Sequence, residues 1–270
     1  MARSGDGCSE GTDAMGSQAR AKAQLCAAVL AQLQGDHAAS RSLYEACLAR
    51  AREVGDGWAM ALSLTGLGFL AQFQGDNHAA RSLLEQSVPV WQEIGQPWGT
   101  ALALNGLADV EVAEGDFEAA LPLFQESLAI RRRLGDQWGI AVSVSGLGHV
   151  AREWGDWATA RAMYGESLTV RRELGDRWGI AECLEDVAAL ALAAGSDAGT
   201  AARLLGAAAA LREAIGTPIR PAKRTDYERH LAAARAELGE AAFAEGWESG
   251  YRLTWEQGAS AALGWLGASS

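Results

Sequence analysis

Apolar residues recur along the chain at three- and four-residue spacing, in segments separated by short polar turns. Between Trp98 and Gly135, the first segment carries Leu102, Leu104, Leu107, Val110 and Val112 among small residues. The second carries Ala119, Ala120, Leu123, Phe124, Leu128 and Ile130. Such spacing places the apolar side chains on one face of a helix, so each segment is expected to be an amphipathic helix. Glu114-Gly115-Asp116 separates the two. Glycine accepts the left-handed conformation that closes a helix, and aspartate caps the free N–H groups of the next.

The punctuation is periodic. Gly35-Asp36, Gly75-Asp76, Gly115-Asp116 and Gly155-Asp156 form one series, continued by Gly195. Gly55-Asp56, Gly95-Gln96, Gly135-Asp136 and Gly175-Asp176 form a second, and Trp58, Trp98, Trp138 and Trp178 follow its members. A fixed period in this range marks a solenoid whose units bury their faces against neighbours. Turns this short make consecutive helices antiparallel. The expected fold class is therefore all-α: residues 18–217 as five helical hairpins, preceded by a disordered tail at 1–17 and followed by a helical cap at 218–270. In the fifth hairpin Ala194-Gly195-Ser196-Asp197 replaces the tight turn. Pro218 and Pro221 break the pattern, a helix fits 222–238, and another starts at Gly239-Glu240. Thr254-Trp255-Glu256-Gln257 has capping-box form and opens the last helix.

The repeated Trp is expected to pack where one hairpin meets the next, with an aromatic ligand platform as the alternative. Its place in the first hairpin is taken by Gln18. Arg131, Arg132, Arg133, Arg171 and Arg172 fall in last turns, where cations suit the helix dipole. They read as solvated helix ends, the alternative being a docking patch.

Net charge is −11, with lysine only at Lys22 and Lys223. Nucleic-acid affinity draws on basic side chains, so direct DNA or RNA binding is not expected. No segment has the length and apolarity of a membrane-spanning helix, and the Gly/Ser/Asp-rich start lacks the apolar run of a signal peptide. Of Cys8, Cys26, Cys47 and Cys183 none forms a CxxC pair, and the last three read as small core residues in helices. Reduced thiols suggest a cytoplasmic location.

Chemistry has little support. His37 and His78 sit beside capping aspartates and read as local. His149 and Glu153 share a helix face, but further metal ligands at matching spacing are missing. Glu182, Glu185 and Asp186 form an acidic cluster whose plainer reading is a solvated face; acid–base work would need their pKa values driven apart. Neither a catalytic site nor a cofactor is expected.

Leu67-Gly68 followed by Gln74-Gly75-Asp76 and Ala80 resembles the tetratricopeptide pattern, as does Leu147-Gly148 with Trp154-Gly155-Asp156 and Ala160. Ala108 stands where the family often has Gly. The longer unit resembles the C-terminal repeat region of bacterial LuxR-type and maltose-activator-like regulators, which are signal-transduction ATPases. Arg20-Ala21-Lys22-Ala23-Gln24-Leu25, Ala201 to Ala207 and Tyr227-Glu228-Arg229 carry that likeness. The phosphate-binding GxxxxGK[ST] motif of such ATPases is not in the sequence.

The resemblance implies a right-handed superhelix whose first helices line a concave groove for a protein partner. Groove positions carried over are Thr65, Phe69, Gln72 and Phe73; Asn105, Asp109 and Val112; Ser145, His149, Arg152 and Glu153; and Glu182 and Glu185. Phe69 and Phe73 either hold a partner's side chain or pack between repeats. The acidic members favour a neutral or basic peptide or helix. The expected function is a non-catalytic interaction scaffold in regulation or signalling; the alternative is the effector-sensing module of a regulator.

Overall fold

The structure, a computed structural model, describes residues 20–32, 34–195 and 197–267. The expected tail at 1–17, and with it Gln18 and Cys8, lies outside the described residues, as does Ser196 in the altered turn. Among the described residues every regular element is helical. In chain order these are α1 (20–32), α2 (His37–Val54), α3 (Gly57–Phe73), α4 (Asn77–Glu93), α5 (Pro97–Glu114), α6 (Phe117–Leu134) and α7 (Gln137–Glu153). They continue as α8 (Trp157–Leu174), α9 (Arg177–Ala193), α10 (Ala198–Ile215), α11 (Pro221–Leu238), α12 (Glu240–Tyr251) and α13 (Trp255–Gly267). The fold class is an all-α helical solenoid.

The turns work as their residues dictate. Gly75 and Gly135 adopt φ of 81° and 68°, where a side chain would be strained. Asp76 Oδ1 accepts the Ala79 N–H at 3.0 Å, and Asp136 Oδ1 accepts the Gly139 N–H at 2.9 Å. Each satisfies a donor that the helix start leaves orphaned. The capping box also forms: Thr254 N–H donates to Gln257 Oε1 at 3.0 Å, and Gln257 N–H to Thr254 Oγ1 at 3.3 Å.

The chain divides into two compact units between Val110 and Glu111, inside α5. In the first, Leu25 and Ala28 of α1, Tyr44 and Cys47 of α2, and Leu64, Leu67 and Leu70 of α3 share one core. Leu84 of α4 and Val110 of α5 share another. In the second, Tyr164 and Leu168 of α8, Ile180, Leu184 and Val187 of α9, and Leu204, Leu205 and Leu211 of α10 form a larger core, which Ala259, Ala262 and Leu266 of α13 join. Phe243 of α12 packs with Ala202 of α10 and Ala234 of α11.

The junction from a second helix to the following first helix corrects two expectations. Trp98 and Trp138 are 49% and 45% exposed, Trp58 is also exposed, and Trp178 is half-buried. Trp98 does meet Trp91 edge-on across its junction, with ring centroids 6.4 Å apart, but the closest approach of the helices belongs to the residue after the ring. A Cβ at Gly99 would run into the buried Trp91 ring, and one at Gly139 or Gly179 would run into the Arg131 or Arg171 guanidinium. In the first junction both positions are small: Ala51 and Ala59 are buried in one core. Glycine thus appears where its opposite number is large.

Arg131 and Arg171 are not solvated helix ends; each is 2% exposed. Arg171 Nε donates to Ser167 Oγ at 3.2 Å and its Nη1 to Asp176 Oδ2 at 3.1 Å. Ser167 Oγ donates onward to the Ala141 carbonyl at 2.8 Å. Asp176 also caps α9 through the Gly179 N–H at 3.0 Å, so one carboxylate serves two helices. Arg131 repeats this with Ser127 at 3.1 Å and Asp136 at 3.6 Å. A buried guanidinium is costly unless paired, and these are paired. Arg132 does stay exposed, 3.1 Å from Glu166. The cysteines divide: Cys47 and Cys183 are buried as expected, whereas Cys26 is exposed.

Candidate functional site

In the first unit, α3 and α5 carry the expected groove positions. Thr65 is buried: its Oγ1 donates to the Ala61 carbonyl at 2.8 Å and accepts from Trp91 Nε1 at 3.0 Å. It therefore fixes the Trp91 ring against Gly99. Phe69 packs against Gly106, where a Cβ would collide with its ring, and beside Leu84. Phe73 turns the other way and meets the His37 ring at 4.3 Å. The two rings do not make one open pair, and His37 is more than a local capping neighbour. Asn105 is buried, Gln72 half-buried and Asp109 exposed.

In the second unit, α7 presents Ser145, His149, Arg152 and Glu153. Arg152 is buried, and its Nη2 donates to Glu153 Oε1 at 2.8 Å. His149 Nε2 lies 3.3 Å from the same guanidinium and 3.8 Å from Glu153. Burial, then the charges of Arg152, Lys223 and His230, hold the His149 imidazole well below its usual pKa. The ring also stacks with Phe117 at 6.2 Å. Phe117 and the exposed Trp154 help line an open depression with Glu114, Gly115, Asp116 and Glu118.

The acidic cluster on α9 is not a solvated face. Glu182 is 8% exposed and accepts from Arg220 Nη2 at 2.6 Å. Burial alone would raise its pKa, but Lys223, Arg220, Arg171 and Arg212 outweigh that and hold it low. Glu185 takes both Arg212 Nε and Nη2, at 2.6 and 2.9 Å, although burial keeps its pKa raised. Asp186 Oδ2 accepts from Ser145 Oγ at 3.3 Å. The residues that complete this region, Arg212 in α10 and Arg220 and Lys223 around the start of α11, are ones that local periodicity does not connect to α9. Only the Pro218–Pro221 break marked a segment free to fold back.

Among the described residues no helix is long and apolar enough to cross a membrane, and no group of three or more His, Cys, Asp or Glu is placed to hold a metal ion.

No curated protein matches the chain. Among solved structures it is similar to the crystal structure of BtubC (BKLC) from P. vanneervenii, at 25% identity over 70% of this chain and 78% of that one, with a TM-score of 0.56. The tetratricopeptide-repeat profile matches residues 19–95 and 99–173. These segments cover more than half of the chain, between them contain the Gly-Asp turns from Gly35-Asp36 to Gly155-Asp156 and the junctions at Ala59, Gly99 and Gly139, and make it a member of the tetratricopeptide-repeat family.

Proposed function

We propose that the chain is a regulatory interaction module that binds a peptide or helix of a neutral or basic protein partner along its first helices. Tetratricopeptide repeats generally mediate protein–protein interaction. The observation that carries the reading is the exposure of large rings at one repeated position, Trp58, Trp98 and Trp138. Such rings offer contact area at low entropic cost and anchor interfaces. The proposed contact residues are Phe69, Gln72, Phe73 and Asp109 on the first unit and Ser145, His149 and Glu153 on the second. Thr65, Asn105, Arg152 and Glu185 support the face from within, and Glu182 stands behind Arg220. The LuxR-type likeness extends the proposal to a role in gene regulation through a partner.

The experiment compares partner capture by the full chain with capture by Trp138→Ala and Asp109→Lys chains of matched thermal stability. Loss of capture of roughly tenfold is expected where an exposed anchor is removed. Unchanged capture by both variants removes the first helices as the binding face.

A further inference from the structure

The first turns of α9 already hold a ligand, and it comes from the same chain. Arg220 precedes α11 and sits over the Trp178 ring, 5.4 Å from its centroid, while its Nη2 donates to Glu182 at 2.6 Å. A guanidinium stacked on an indole and bonded to a carboxylate is a complete recognition unit for arginine. Trp178 and Glu182 are four apart on α9, so they present one face. Lys223, one turn further, adds its charge to the same carboxylate.

The hold on this part of α11 is polar rather than apolar. Residues 221–226 are exposed, and Ala234 is the one fully buried residue of the helix. Leu231 and Ala234 tie the later half to Ala202 and Phe243. The early half has Tyr227 at the edge of the core and no side-chain cap at Arg220. The linker from Gly216 to Arg220 is non-helical. The helix is thus fastened at one end and held by charge at the other.

We propose that the Trp178–Glu182 face of α9 is a docking site for a basic helical segment of a partner protein, and that the arginine-led early half of α11 is an internal occupant which such a segment displaces. The inference deepens the function proposed above by naming one site and its ligand chemistry. Its test is separable, because Trp138 and Asp109 lie outside this site.

The test uses the full chain carrying Arg220→Glu and Lys223→Glu. Its probe is a labelled synthetic peptide with the natural sequence of residues 217–238; a second peptide has those two basic residues replaced by Glu. Amide exchange over 220–230 is expected to quicken about tenfold in the variant, while that over 231–238 changes little. The natural peptide is expected to bind the opened variant about tenfold tighter than the wild type. The acidic peptide is not expected to bind, and adding Glu182→Gln should abolish the gain. Unchanged exchange over 220–230 overturns the charge-held occupant. Quickened exchange with no binding of the natural peptide, or equal binding of both peptides, overturns the docking site.

Discussion

The junction at Ala51 and Ala59 and the junction at Arg171 and Gly179 solve one problem in two ways. In both, a second helix must pass close to the first helix that follows it. The first unit uses two small apolar residues with Asp56 as a plain N-cap. The second buries a guanidinium, removes the opposing Cβ and gives the capping Asp176 a second partner. The lesson is that one turn motif, Gly-Asp, carries a different structural weight according to the residue five positions before its aspartate.

Removing the aspartate should separate the two junctions most strongly. Asp56→Ala loses a cap and should cost about 1 kcal/mol. Asp176→Ala also strands the buried Arg171 charge, so a cost of roughly 3–5 kcal/mol is expected. Denaturant unfolding of both variants under the same conditions measures the gap; equal costs would mean that Arg171 does not depend on Asp176.

The opposing small residue comes next. Gly179→Ala drives a methyl into the Arg171 guanidinium and should cost about 1–3 kcal/mol. Arg171→Ala combined with Gly179→Ala transplants the first junction into the second unit. The pair should couple favourably by roughly 0.5–3 kcal/mol in a double-mutant cycle, and simple additivity would refute the size match. Ala59→Gly, the reverse change in the first unit, should cost only about 1 kcal/mol, because it loosens a helix without relieving a clash.

Acid gives a smaller and more local contrast. Burial first, then Arg152, lowers both His149 and His230. Lys223 and His230 lower His149 further; Arg229 lowers His230, while Asp226 and Asp186 oppose that shift. Neutral imidazole is favoured in the fold, and unfolded histidine titrates near about 6.5. The unfolded chain therefore binds more protons below that pH, and stability falls from there down through the lowered folded values. Protection factors of the amides in α7 and α11, taken against the intrinsic exchange rate at each pH, should fall between about pH 6.5 and pH 5, in the range set by the unfolded histidine. His149→Gln should blunt the change; an identical acid response in that variant would assign it elsewhere.

Much of the fold was legible because its signals are local. Gly75-Asp76 and Gly135-Asp136 announce turns, and Thr254 with Gln257 announces a cap. The misread residues are those whose partners are distant or whose side chains are two-natured. Trp138 carries a large ring, so burial was the natural expectation; the neighbouring Gly139 is what lets the helices close. Arg171 in a last turn looks like a dipole-matching surface cation, and nothing local says that Ser167 and Asp176 enclose it. Glu182 and Glu185 look solvated because their partners, Arg220 and Arg212, lie 38 and 27 residues further along. Of the expected interaction face, the helices were readable, but which side chains packing would consume was not.

The repeated buried arginine also decides how such an array can lengthen. Residues 138–177 open with Gly139 and close with Arg171 and Asp176, the same pairing that Arg131 and Asp136 make with Gly139. A tandem copy of this cassette would bring its own matching ends to the splice. Residues 58–97 open with Ala59 and close with Trp91, so a copy would set an indole against a methyl. Growth by duplication is therefore open to the former segment and obstructed for the latter.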